Sequence, residues 1–390
     1  MKTQHHTLLE LSSGRRLSNL MLCAGFSLTG AGTVLLGVLM PVLSAQWGLR
    51  DSTAGFLFFL QFLGCSLGAV CTGANRVRAL RVGFGLLVVC SGGLAYSGLW
   101  AAFPLLFFNG IGLGLGMTAV SLSFSHRFRR DLGARLEGLN FLWSAGAAAA
   151  PALLAPFLRT LSLHRLFFIY QALYFCIFLW MMLGERQPAP RPARTPAPLP
   201  GPRRGALRLL LPLVAMALCS VGVETSISSW LTTYSHRTDS RSLGAAALTT
   251  SLFLLGFMLS RLAFSTRLLA ILGRRRALYS LLAGTAACVI LLTAAHSLTI
   301  IRAAAGLAGF CIGPLYPLLL SFLLERTDRG WIFAAAGVGA VVFPWTTGVL
   351  STHYGSLRHG LLAPCAGALI MILLLPFGFR RAPEPVPAGV

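Results

Sequence analysis

PLLFFNGIGLGLGMTAVSLSFS, residues 104–125, runs for 22 residues without a charge, and HRFRRDLGAR, residues 126–135, follows at once with four arginines. A stretch of about 20 apolar residues crosses the hydrocarbon core as a helix, because backbone N–H and C=O groups find no water there. Working outward in both directions, the same alternation recurs. Twelve spans are read at 19–42, 53–74, 79–99, 104–125, 136–158, 164–183, 207–234, 243–263, 276–295, 298–323, 331–352 and 357–379. The chain therefore reads as an all-α, multi-pass membrane protein.

The connections set an orientation. Alternate connections and the two tails carry Lys2, Arg15, Arg16, Arg76, Arg78, Arg81, the arginines of 126–135, six between 186 and 208, then Arg267, Arg274–Arg276, Arg326, Arg329, Arg380 and Arg381, which makes 24 of 32 basic residues. The other face has only Arg50, Arg159, Arg165, Arg237, Arg241 and Arg358. Basic residues stay on the cytoplasmic side, so both termini are expected there. An even number of spans agrees.

Composition excludes several classes. The formal net charge of +22 would suggest nucleic-acid binding in a soluble protein, but 56% of residues are hydrophobic and only 11% charged. The basic residues sit where anionic headgroups attract them, so the partner they imply is the lipid bilayer and not nucleic acid. A single lysine beside abundant arginine, alanine and glycine fits a GC-rich bacterial genome, hence an expected inner-membrane location. No signal peptide is read in the polar segment before Leu20. Nine cysteines lie singly within the spans, and the histidines form no HxxxH or HxxE cluster, so neither a metal site nor a cofactor is expected.

The longest connection, GERQPAPRPARTPAPLPGPRRG at residues 184–205, is too rich in proline and arginine to pack. It divides the chain into an N-terminal bundle of six spans (1–184), a linker (185–206) and a C-terminal bundle of six (207–390). The two parts repeat one another. Gly146-Ala147-x3-Pro151 in span 5 returns as Gly339-Ala340-x3-Pro344 in span 11, and the glycine run Gly110–Gly116 of span 4 has a counterpart in Gly306-x2-Gly309-x3-Gly313 of span 10. Small residues at such spacing let membrane helices approach closely. Paired six-helix repeats place a substrate site near the midplane, between them.

On these features the chain resembles the major facilitator superfamily over essentially its whole length. The family's basic loop motif is degenerate here, with Asn75-Arg76-Val-Arg78 after span 2 and Gly256-x3-Ser260-Arg261 after span 8, each lacking the acid. Its Arg-x3-Gly pattern is absent from span 4 and present in span 10 as Arg302-x3-Gly306. Within the superfamily, Gly222-Val-Glu224-x5-Trp230-Leu-Thr-Thr-Tyr234, Leu139-Asn140-x2-Trp143-Ser-Ala-Gly146-Ala147 and Phe343-Pro344-Trp345-x2-Gly348 look similar to the fucose:proton symporters and their sodium-dependent glucose transporter relatives. That resemblance implies a monomer moving a small polar solute, a sugar, with H+ or Na+ by alternating access.

Of ten acidic residues, only Glu224 lies deep in a span. An ionised side chain there costs several kcal/mol unless paired or hydrated, so it is expected to face a cavity and to act in coupling or substrate contact. Arg302 in span 10 either reaches inward to Glu224 or snorkels to the headgroups, and Arg261 reads as an interfacial anchor. Sugars present hydroxyls around an apolar ring face and need amides beside a stacking aromatic. The candidates are Gln61, Asn109, Asn140, Trp143, Trp230, Tyr234, Tyr316 and Trp345. Pro41, Pro151, Pro156, Pro314, Pro317 and Pro344 would kink spans. No nucleotide motif or nucleophilic triad is present, so the protein reads as a transporter and not an enzyme. The competing reading is a proton-antiporting exporter of drugs or hydrophobic metabolites, favoured by the scarcity of acids and amides.

Overall fold

In lipid an apolar segment can pair its backbone N–H and C=O groups only within itself, as a helix. The computed structural model is helical in this way, with no strand among the described residues, which are 2–73, 75–127, 132–158, 160–184, 204–239, 242–264, 268–324 and 331–379. Before residues 185–203 come α1 (Lys2–Trp47), α2 (Asp51–Val70), α3 (Arg76–Tyr96), α4 (Leu99–Arg127), α5 (Leu132–Leu154) and α6 (Leu163–Gly184). After them come α7 (Arg204–Thr238), α8 (Leu243–Ala263), α9 (Leu269–Leu272), α10 (Arg274–Ala294), α11 (Leu298–Ile312), α12 (Leu315–Leu324), α13 (Trp331–Tyr354), α14 (Leu357–Gly360) and α15 (Leu362–Gly378).

Among the described residues eleven segments are long and apolar enough to cross a membrane; the fifth of the twelve expected spans, α5, contributes a shorter apolar stretch, Gly138–Leu154. The expected linker lies outside the described residues apart from its last three, 204–206, which already belong to α7. Proline explains two departures from the expected spans. Span 10 is broken at Gly313–Pro314 into α11 and α12, because neither Pro314 nor Pro317 can donate to the helical ladder. Pro156 kinks no helix, since it follows the end of α5 in a turn. Asn75, standing where the loop motif has an acid, caps α3 by accepting from the Arg78 N–H at 3.0 Å; this satisfies a first-turn amide.

The repeated glycines do matching work. A Cβ on Gly146 would strike the Ser27 carbonyl of α1, and one on Gly339 would strike the Leu218 carbonyl of α7. Likewise Gly110 of α4 seats on Gln61 of α2, and Gly309 of α11 on Phe253 of α8. Because lipid supplies no hydrophobic drive between helices, such backbone approach is what associates them. The arrangement encloses α1 and α7, with 72% and 61% of their apolar windows buried, and leaves α6 outermost at 28%. Large apolar side chains such as Val89, Leu183 and Leu373 cover the outside, as a lipid-facing surface requires.

Candidate functional site

α1 and α7 meet at Gly37, where a Cβ would lie 2.8 Å from the Ser229 carbonyl. Beside that contact is a cavity of about 30 Å³ bounded by α1, α2, α5, α7 and α8. As packed here it has room for a water or two, so a larger solute enters only when the surrounding helices part. Glu224 and Trp143 both line the cavity. Val34, Phe62 and Leu254 form apolar walls.

The polar lining has a definite sense. Thr33, Thr225 and Ser228 each donate their hydroxyl proton within their own helix, to Thr29 O at 2.8 Å, Val221 O at 2.8 Å and Thr225 O at 3.1 Å. Their oxygens therefore face the cavity as acceptors. Pro41, lacking an N–H, also leaves the Gly37 carbonyl without its helical partner. The carboxylate of Glu224 adds further acceptor sites and forms no hydrogen bond or ion pair among the described residues. Against these, the Trp143 indole N–H is a buried donor with no partner. The site is acceptor-rich, has one fixed donor, and its single formal charge is negative.

The remaining candidates are placed elsewhere. Trp230 is fully buried, donating its indole N–H to Pro344 O at 2.8 Å and packing on the edge of Phe58. Tyr234 donates its hydroxyl to Leu292 O at 2.9 Å. Both aromatics lock helices together and do not line the cavity. Gln61 Nε2 donates to Asn109 Oδ1 at 3.4 Å between α2 and α4, while the buried Gln61 Oε1 has no partner. Asn140 is exposed, and Trp345 lies edge-on to Phe59. Tyr316 stays within electrostatic reach of Glu224.

Arg302, read either as reaching Glu224 or as snorkelling, donates one guanidinium nitrogen to the Ala245 carbonyl of α8 at 3.0 Å. Arg261, half-buried near the end of α8, lies within electrostatic reach of Glu224. Its guanidinium lies 4.2 Å from the Phe257 ring centre and donates through Nε to Gly313 O at 3.3 Å. Pro317 leaves that carbonyl without its ladder N–H, so a donor was needed there. The proline spacing was the available signal for this contact. For the cavity hydroxyls the signal was Ser228, one turn beyond Glu224 on the same helical face.

The sequence pattern described as Major Facilitator Superfamily matches residues 22–330. No curated protein matches the chain. Among solved structures, the nucleoside transporter NupG superposes with a TM-score of 0.72 at 12% identity, covering 94% of this chain and 100% of that one. A bacterial homolog of the human lysosomal transporter Spinster gives 0.69 at 15% identity over 94% and 96% of the two chains. A D-xylose-proton symporter gives 0.68 at 15% identity over 94% and 98%. At such identities the likeness is one of fold.

Proposed function

The chain belongs to the major facilitator superfamily and is a multi-pass membrane transporter, and from that premise we propose that it takes up a small polar solute, a sugar, coupled to H+ or Na+. The observation that carries this reading is the acceptor-rich cavity of Glu224. Carboxylate, hydroxyl and carbonyl oxygens there await hydroxyl donors, and Trp143 offers one N–H to a solute oxygen. A polyol, admitted once the two parts separate and widen this space, supplies both kinds of group at once, whereas an anion would meet the Glu224 carboxylate. The solved relatives include transporters of nucleosides and of D-xylose with protons, so the fold accommodates neutral, hydroxyl-rich solutes.

The mechanism in this reading is alternating access between two six-helix parts, 1–184 and 207–390, joined by the cytoplasmic linker 185–206. The matching glycine contacts, span 5 on span 1 and span 11 on span 7, support such a duplication. The cavity lies between the two parts, with both termini cytoplasmic and the protein acting as a monomer in a bacterial inner membrane. Glu224 binds the coupling cation, and Arg261 answers its change of charge. Because Arg261 also holds Gly313 O at the break between α11 and α12, loading Glu224 alters the restraint on that break.

The test is uptake into proteoliposomes with a panel of radiolabelled sugars, nucleosides and lipophilic cations, with and without an imposed proton or sodium gradient. Gradient-driven sugar accumulation that Glu224→Gln abolishes, while leaving sugar exchange at equilibrium, supports the reading. Movement of lipophilic cations alone, out of phase with protons, would replace it with the exporter.

A further inference from the structure

At the end of the bundle away from the termini lies a junction remote from the cavity. Asp51 opens α2, and its carboxylate receives both guanidinium nitrogens of Arg237 on α7, at 2.6 Å each. The same carboxylate accepts the hydroxyl of Ser351 on α13. The N–H of Ser52, a first-turn amide with no partner in its own helix, donates to the Thr352 hydroxyl of α13 at 2.7 Å. Backbones close flush beneath these bonds: a Cβ on Gly348 would strike the Asp51 carbonyl, and one on Gly55 would lie 3.1 Å from the Trp345 Cα.

The helices that grip Asp51 are tied to one another. Ser226 of α7 and Thr347 of α13 share a hydrogen bond of 2.7 Å, and Trp230 of α7 donates to Pro344 O of α13 at 2.8 Å. α7 and α13 thus form one jaw and α2 the other. We propose that Asp51 is the latch of a gate at this end, one carboxylate shared by two helices of the opposing jaw, so that closure makes its bonds together and opening breaks them together. The inference rests on the alternating-access reading above and not on the identity of the solute. On the orientation proposed there, this gate faces outward.

The charges suit a reversible closure. Asp51 is 9% exposed, but Arg237 keeps 43% of its side chain in contact with solvent. A pair at the water edge can be rehydrated when the jaws part, whereas a fully buried pair would oppose opening with the cost of leaving charges unpaired. Apolar contact alone gives little directional closure in lipid, so the polar shell supplies what distinguishes the closed jaw from a merely adjacent one.

Hydrogen–deuterium exchange on the full-length protein in lipid nanodiscs tests this, because the Ser52 amide is protected by Thr352 across the junction and by nothing within α2. Asp51→Asn, Arg237→Gln and Gly348→Leu are each expected to quicken exchange in peptides covering 50–57 and 344–354 by about tenfold. Peptides from α3 and α6 should be unchanged, and the double charge exchange Asp51→Arg with Arg237→Asp should return exchange toward wild type. Thermal unfolding checks that each variant folds; the steric variant Gly348→Leu stands in for any charge variant that does not. Wild-type exchange in folded variants, or quickening equal across α3 and α6, overturns the latch. A wild type that moves no sugar yet shows the expected exchange pattern removes the sugar reading and leaves the latch standing.

Discussion

Trp143 of α5 and Trp230 of α7 show how differently one kind of side chain is used. Trp143 keeps an unpartnered indole N–H at the cavity, whereas Trp230 spends its own on Pro344 O. A buried donor without a partner costs about 1–3 kcal/mol. Trp143→Phe is therefore expected to leave the melting temperature of the solute-free protein unchanged or raised, while weakening solute binding about tenfold. Trp230→Phe removes the indole bond to Pro344 O that ties α7 to α13 and should lower stability by about 0.5–1.5 kcal/mol with solute affinity retained. Thermal unfolding beside equilibrium solute binding reads both outcomes. A fall in stability for Trp143→Phe with binding intact would make it a packing residue like Trp230.

At the scale of helices, the small-residue repeats decide which elements touch. Gly146 on α5 and Gly339 on α13 seat against carbonyls of α1 and α7, so a larger side chain at either must push two backbones apart. Overpacking of this kind costs about 1–3 kcal/mol or more. Gly146→Leu and Gly339→Leu should each lower the unfolding midpoint in detergent by several degrees, whereas Gly138→Ala, with open space at its Cβ, should not. Proline acts at the same scale with a sign that depends on what fills the gap. Pro317 frees the Gly313 carbonyl, and Arg261 takes it. Removing that donor by Arg261→Ala should cost stability of about 1–3 kcal/mol and also abolish coupling, because the same guanidinium bears on Glu224. Retained coupling in that variant would confine Arg261 to holding the helix break.

For the whole molecule, the distribution of arginine predicts sidedness. Protease cleavage within 185–203 and at a C-terminal tag should occur in inside-out vesicles and not in right-side-out ones; the opposite result would invert the proposed orientation and place the Asp51 gate inward. The membrane character, the approximate number and limits of the spans, the repeated glycines and the singularity of Glu224 were all present in the sequence, since each follows from bilayer thickness and from the cost of a charge within it. The facing of each helix was not. A helix apolar around its whole circumference carries little periodicity to say which side turns inward; helical spacing sets Tyr234 nearer the face of Glu224 than Trp230, but it does not show that both bond to neighbouring helices. Asp51 and Arg237 stand 186 residues apart at water-exposed helix ends, where solvated charge is the ordinary state, and only the packing of α2 against α7 and α13 joins them. The choice of Arg261 over Arg302 as the cation near Glu224 was likewise tertiary, because both lie in apolar spans and differ only in which carbonyl their helix neighbours bring within reach.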